Sequence, residues 1–380
     1  MITQKANEIK PFIVMEVLEK AAEMERRGIN VVHLEVGEPD FDVPPCVSEA
    51  VANAFSEGRT HYTHSLGDPE LREEICKRYH NIYGVTISPE QIIVTSGSSP
   101  AILLTLGVLC DIDDEVIISD PGYACYSNFI RFLNAKAVKV PVYEEDGFQY
   151  RPTEIERRIT ERTKAIMINS PMNPTGNLLS AEVMKELVKF NIPIISDEIY
   201  HGLVYERRAH SILEFTDNAF VLNGFSKLFA MTGLRLGYVI APKHCVRPMQ
   251  KLQQNLFICA GSTEQRAGIA ALQLAGNDVA KMKETYNTRR KYIIERLTQL
   301  GFDIKVPPTG AFYVFVNVKH LSADSYKLAF DILEKAHVGV TPGIDFGENG
   351  EGFLRFSYAN SIEKIEEGMN RLEKYLVNLK

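Results

Sequence analysis

QIIVTSGSSPAILLTLGVLCDIDDEVIISDPGYACYSNFI, residues 91–130, decides the fold. Ile92, Ile93 and Val94 form a run that is apolar on both faces. A strand of that kind needs cover on both sides, as in a parallel sheet. Gly97-Ser98-Ser99-Pro100 then opens an apolar helix. Val116, Ile117 and Ile118 make a second buried strand, which ends in the loop Asp120-Pro121-Gly122-Tyr123. Strand, helix and strand in this order describe an α/β unit.

The same alternation extends outward. Downstream, strands are expected at 137–142, 165–169, 192–196, 219–222 and 236–240, with a helix over 180–190. Upstream, helices are expected at 12–27, 45–57 and 69–83, and a short strand within 31–37. Asp68 caps the 69–83 helix, Pro69 fits its first turn and Gly84 stops it. After residue 245 the texture changes. One helical stretch covers 247–275 and a long charged helix covers 279–300. Strands at 311–316 and 353–358 alternate polar with apolar, and helices at 322–336 and 361–377 flank them. The pattern predicts a large α/β domain over 45–280, with a mostly parallel seven-stranded sheet between helices. A smaller α+β domain comes from 1–44 and 281–380.

Composition narrows the function. The 380 residues carry 42 basic and 49 acidic side chains, a net charge of -7. A nucleic-acid backbone or an anionic membrane calls for the opposite sign, so neither is an expected partner. The six cysteines form no CxxC pair and sit in mostly hydrophobic settings. The opening residues carry no uninterrupted apolar signal segment. A reducing, cytoplasmic location is expected. No GxGxxG follows a first strand, which argues against a dinucleotide site.

The chemistry gathers where strands end. Ser98 and Ser99 follow strand 92–94, Tyr123 follows 116–118, Asn173 follows 165–169, Asp197 follows 192–196 and Lys227 follows 219–222. Ligands of open α/β sheets lie beyond the carboxyl ends of the strands. Lys227 stands in VLNGFSKLFAMTGLRLGYVI (221–240), among Phe225, Leu228, Phe229 and Met231. Loss of solvation there lowers its pKa and makes a nucleophilic amine suited to a Schiff base. The free N–H groups after Gly97, together with Arg235, suit a phosphate. Asp197 suits a protonated pyridine nitrogen. Asn173 and Tyr200 suit a phenolate oxygen, and the Tyr123 ring a stacking face. Arg355, on strand 353–358, suits a substrate carboxylate. Taken singly, a helix cap, a turn asparagine or a surface ion pair accounts for several of these.

Several longer motifs carry a resemblance. GFSKLFAMTGLRLG, NPTG (173–176), DEIY (197–200), FLRFSYA, GEPDFDVP and YTHSLGDPELREEI occur in this order along the whole chain. The chain resembles the pyridoxal-phosphate-dependent aminotransferases of fold type I, the class I/II, aspartate-aminotransferase-like family. The resemblance implies pyridoxal 5'-phosphate bound to Lys227, which then carries the proton of the reaction. It implies Asp197 at the pyridine nitrogen, and Asn173 and Tyr200 at the ring oxygen. Ser98, Ser99 and Arg235 hold the phosphate, and Arg355 takes the α-carboxylate with Gly37 beside it. It also implies a homodimer in which Tyr62 reaches the neighbouring site. Gly224 stands where many relatives have a phosphate-contacting serine, with Ser226 as its candidate replacement. Pro100 stands where some acidic-substrate relatives have lysine.

The expected reaction is amino transfer between an L-amino acid and a 2-oxo acid. A C–S β-lyase shares its first half, and a non-catalytic binding protein could keep the same scaffold.

Overall fold

The computed structural model describes residues 2–379. Its central sheet has seven strands: β1 (Ile92–Thr95), β2 (Glu115–Asp120), β3 (Lys136–Pro141), β4 (Thr163–Asn169), β5 (Ile194–Asp197), β6 (Ala219–Gly224) and β7 (Gly237–Ile240). They lie in the order β1-β7-β6-β5-β4-β2-β3. Only β7 runs against its neighbours β1 and β6. The other six share one direction, so β1, β2, β4, β5 and β6 end along the same edge. Every residue of β1, β5, β6 and β7 is buried. Helices cover the sheet, as continuous apolar strands require.

The smaller β-sheet domain has three antiparallel strands in the order β9-β10-β8: β8 (Tyr313–Asn317), β9 (Thr341–Pro342) and β10 (Phe353–Ser357). Helices Ser325–Ala336, Ile362–Asn378 and Ile13–Arg26 surround it. Val32–His33 pairs in parallel with Val338–Gly339, tying the early chain to this late one. Helix Pro69–Tyr83 begins and ends as its sequence predicts. Asp68 Oδ1 accepts from Glu70 N at 2.9 Å, and Gly84 adopts φ +73°.

Some boundaries differ. The strand expected at 192–196 is Ile194–Asp197, because Pro193 has no N–H for the ladder. Asp197 is therefore its last residue, level with Asn169. The stretch 247–275 is two helices, Lys243–Leu256 and Ser262–Leu274, interrupted where Ile258 takes φ +67°. The strand expected from 311 begins at Tyr313, after Ala311 at φ +55°. β10 is buried along its whole length despite its alternating sequence, since Arg355 faces the interior of the molecule. A short helix, Gln4–Glu8, has no apolar pattern to announce it.

Gly237 is where the antiparallel strand meets the first helix. A Cβ there would lie 2.6 Å from the Gly97 carbonyl carbon and 2.8 Å from Ser98 N. Gly237→Ala is expected to cost about 1–3 kcal/mol in urea unfolding, because backbone must move. Gly276→Ala has no atom within 4 Å of the new carbon. It is expected to change stability by no more than about 1 kcal/mol, in the stabilising direction.

Candidate active site

A cleft of about 420 Å³ opens at the carboxyl edge of the parallel strands, between the sheet and the smaller domain. Ser98, Ser99, Tyr123, Asn173, Asp197, Tyr200, Ser226, Lys227, Arg235, Gly37 and Arg355 all line it. Tyr62 does not. It is 81% exposed on a loop outside this cleft.

Lys227 lies in the turn after β6, its side chain half-buried. Its Nζ donates to Gly37 O at 2.6 Å and sits 5.9 Å from the centre of the Phe312 ring. Burial pushes its pKa down to about 8. Glu38 acts against that shift, and Arg355 and Arg235 add to it. The wall expected from neighbouring residues is elsewhere. Phe225 and Phe229 stack on each other at 5.6 Å, and Leu228 and Phe229 face a separate recess with Phe41 and Met282. The walls of the cleft, not its sequence neighbours, desolvate the amine.

Asp197 is 5% exposed. Tyr126 donates to its Oδ2 at 2.6 Å and Ile199 N to its Oδ1 at 3.2 Å. Burial raises its pKa to about 6, because two donors do not replace a cation. Tyr126 was not singled out from sequence. It lies on helix Cys125–Phe132, just after the loop that carries Tyr123, and the two rings meet edge-on with centres 5.1 Å apart.

Helix Ser98–Leu109 follows Gly97, which has φ +93° and offers no side-chain cap, so its first N–H groups are free for a ligand. The Arg235 guanidinium presses on the same turn: a Cβ on Gly97 would lie 2.6 Å from Nη2. Arg235 Nη1 donates to Thr232 O at 2.9 Å. Among the described residues no carboxylate lies within ion-pair distance of it. Gly224 lies opposite Gly237, and a side chain there would meet Leu236 O at 3.0 Å. Ser226, buried two residues on, faces the cleft instead.

Arg355 is 2% exposed. Its Nη2 donates to Glu35 O at 2.6 Å and Thr341 Oγ1 at 3.1 Å, and its Nη1 to Asn173 Oδ1 at 2.9 Å. The Tyr313 and Phe346 rings lie 4.4 and 5.0 Å from the guanidinium carbon. All these partners are neutral, and Nε has none. Asp345 feels its charge, but among the described residues no carboxylate lies within ion-pair distance of it, which leaves the guanidinium available to an anion. Gly37 O accepts from Lys227 Nζ, and Gly37 lines the cleft together with Arg355. The carbonyl that holds the arginine belongs to Glu35. Tyr200 OH lies 2.9 Å from Tyr313 OH, a partner that sequence alone did not supply.

These groups fit pyridoxal phosphate. A carboxylate lacking a cation matches a pyridinium, and free helix N–H groups with an unpaired arginine match a phosphate. A desolvated amine matches an aldehyde. A lysine-centred cleft at the carboxyl edge of a mostly parallel seven-stranded sheet defines the fold type I enzymes that use this cofactor.

The chain belongs to the family described as aminotransferase class I and II, whose model matches residues 29–372. It is 41% identical to a (5-formylfuran-3-yl)methyl phosphate transaminase of Methanocaldococcus jannaschii, over 99% of this chain and 100% of that protein. It is also 41% identical to an aspartate aminotransferase of Pyrococcus horikoshii, over 99% and 97%. Its structure matches that of Thermus thermophilus aspartate aminotransferase with maleate at a TM-score of 0.94 and 35% identity, covering 98% and 99%. A crystal structure from Methanococcus jannaschii, described as similar in its active site to kynurenine aminotransferases, matches at 0.92 and 40%, covering 99% and 100%. The chain is a pyridoxal-phosphate-dependent aminotransferase that exchanges amino groups between an amino acid and a 2-oxo acid.

Behind Asp197 lies a second buried acid. Glu198 accepts from Ser211 Oγ at 2.9 Å, Ile212 N at 3.1 Å and Tyr79 OH at 3.2 Å, and burial raises its pKa to about 8. Its stabilising contribution is full below its unfolded pKa of 4.5 and is lost as pH rises through about 8. His33, raised to about 9 chiefly by its hydrogen bond to Glu35, has the same sign. His201, pushed down to about 3 by burial, costs stability only below its unfolded pKa of 6.5. Urea unfolding of the cofactor-free protein should therefore show stability falling between pH 6.5 and 8. Glu198→Gln should flatten that fall. A flat wild-type profile would contradict the assignment.

Proposed function

We propose that the enzyme takes an apolar L-amino acid as donor, with its side chain held against Phe12, Val14, Met15, Leu18 and Ile102. The observation that carries this reading is the placement of the cleft's cations. Among the described residues of one subunit, Lys227, Arg235 and Arg355 are the cations that line it, and each has a task near the reacting atoms. None is left for a second carboxylate, and Pro100 offers none where some relatives have lysine. The relatives' names differ in substrate, so family membership does not choose the donor.

In this reading the phosphate is held by the N–H groups and hydroxyls of Ser98 and Ser99, by Ser226 and by Arg235. Asp197, fixed by Tyr126, faces the pyridine nitrogen. Tyr123 covers the ring. Tyr200 and the amide nitrogen of Asn173, whose oxygen is taken by Arg355, face the ring oxygen. Bound pyridoxal phosphate supplies an aldehyde for the amino group and a ring that accepts the electrons left at Cα.

The chain's own groups do the rest. Arg355 takes the α-carboxylate through its guanidinium N–H groups. Lys227 Nζ, its pKa lowered to about 8 by burial, removes the Cα proton and returns it two atoms away, past the substrate nitrogen. Gly37 O orients that nitrogen. The enzyme works as a homodimer, with Tyr62 of each subunit reaching the phosphate in the other. Its exposure outside its own cleft supports that placement.

Lys227→Ala is expected to lose the borohydride-reducible cofactor adduct and about a thousandfold or more in turnover. Arg355→Leu should lower kcat/KM for every donor by about a hundredfold. A panel of leucine, phenylalanine, methionine, alanine and aspartate, with 2-oxoglutarate and pyruvate as acceptors, tests the donor class. The apolar donors should give the highest kcat/KM, and a preference for aspartate would refute the proposal.

A further inference from the structure

The run TPGIDFGENG, residues 341–350, supplies Thr341 to Arg355 and also reaches the Tyr123 loop and the first turn of helix Ile13–Arg26. Phe346 covers one face of Arg355. Phe346 O accepts from Gly122 N at 2.9 Å, next to Tyr123, and Asn349 N donates to Asp120 Oδ1 at 3.0 Å. Between these contacts lies Asp345. Its Oδ1 accepts from Ile13 N at 2.9 Å and its Oδ2 from Val14 N at 3.3 Å.

Those two N–H groups begin helix Ile13–Arg26, whose own N-cap residue, Phe12, has no side-chain hydrogen bond to give. Asp345 thus caps the helix from 331 residues away in sequence. The capped turn carries Val14 and Met15, with Leu18 one turn on and Phe12 just before, so it is the apolar wall of the cleft. The Phe12 ring meets Tyr123 edge-on at 6.1 Å.

We infer that Asp345 is a specificity-positioning residue, which sets the donor side-chain wall at a fixed distance from the carboxylate anchor Arg355. Asp345 and Phe346 are adjacent in the turn Gly343–Phe346, so one rigid unit holds both ends of the substrate gap. This inference rests on the reading that the Phe12–Leu18 wall receives the donor side chain. Removing the cap leaves two helix N–H groups without an acceptor, and the wall shifts while the reacting groups stay in place.

The test compares wild type, Asp345→Ala, Asp345→Asn and Ser361→Ala as cofactor-loaded enzymes. Ser361 caps the remote helix Ile362–Asn378 through Lys364 N at 3.2 Å, so its variant loses a comparable cap away from the cleft. Asp345→Ala should lower kcat/KM for leucine and phenylalanine about tenfold, and for alanine, which does not reach the wall, less than about twofold. The loss should fall mainly on KM. Asp345→Asn keeps one acceptor and should stay within about threefold of wild type. Ser361→Ala should leave the leucine-to-alanine ratio unchanged. Hydrogen exchange at Ile13 and Val14 should speed up in Asp345→Ala alone. An equal loss for all donors, or no loss with intact exchange protection, would overturn the inference and leave the donor reading standing. A wild-type enzyme that gains nothing from longer apolar donors would overturn the donor reading, and the inference with it.

Discussion

Two opposite charges, Asp197 and Arg355, are buried in one cleft and do not pair with each other. Each is expensive to desolvate alone, and the cost is met by neutral partners: a tyrosine and a backbone N–H for Asp197, two side-chain oxygens and a carbonyl for Arg355. That arrangement requires a scaffold that keeps them from collapsing together. The central sheet fixes Asp197 in its ladder, and the small sheet fixes Arg355 at the middle of β10, opposite Phe315. Lys227 sits between them and feels both. The anion site and the unpaired carboxylate are thus consequences of one constraint, while the low pKa of the amine comes first from burial, with Arg355 adding to it and Asp197 opposing it.

The parts of this design that follow from strand direction were legible in the sequence. A buried strand must end somewhere, and polar residues directly after it fall on the sheet's carboxyl edge. Ser98, Tyr123, Asn173 and Lys227 were found on that ground, and Arg235 and Arg355 through the motifs around them. Partners that depend on tertiary placement were not. Tyr126 follows the Tyr123 loop closely in sequence, but only the fold shows that its hydroxyl reaches Asp197. Tyr313 reads as one more aromatic in a strand of aromatics. Glu198 directly follows Asp197, and its side chain goes instead to Ser211 and Tyr79.

Burial lowers the pKa of Lys227, as its apolar sequence setting predicts, but the residues that bury it are not its sequence neighbours. The apolar residues beside it in sequence pack into the core and a separate recess, because a tight turn sends neighbours in different directions. What removes water from the amine comes from far along the chain: the Gly37 segment, Phe312 and the cleft floor. The 341–350 run is hidden in the sequence for a related reason: it is a chain of short turns without periodicity, and its contacts to the cleft are long-range.

Apart from Ile102, the wall proposed to face the donor side chain comes from the first twenty residues, while the groups proposed to move protons and hold phosphate come from 97–235. In that reading selectivity and reactivity occupy largely separate stretches of one gene product. A lineage can rewrite the first helix, by substitution or by exchange of the whole segment, and change its diet of amino acids while its catalytic apparatus stays untouched. The range of substrates named among its relatives is what such modular inheritance would produce.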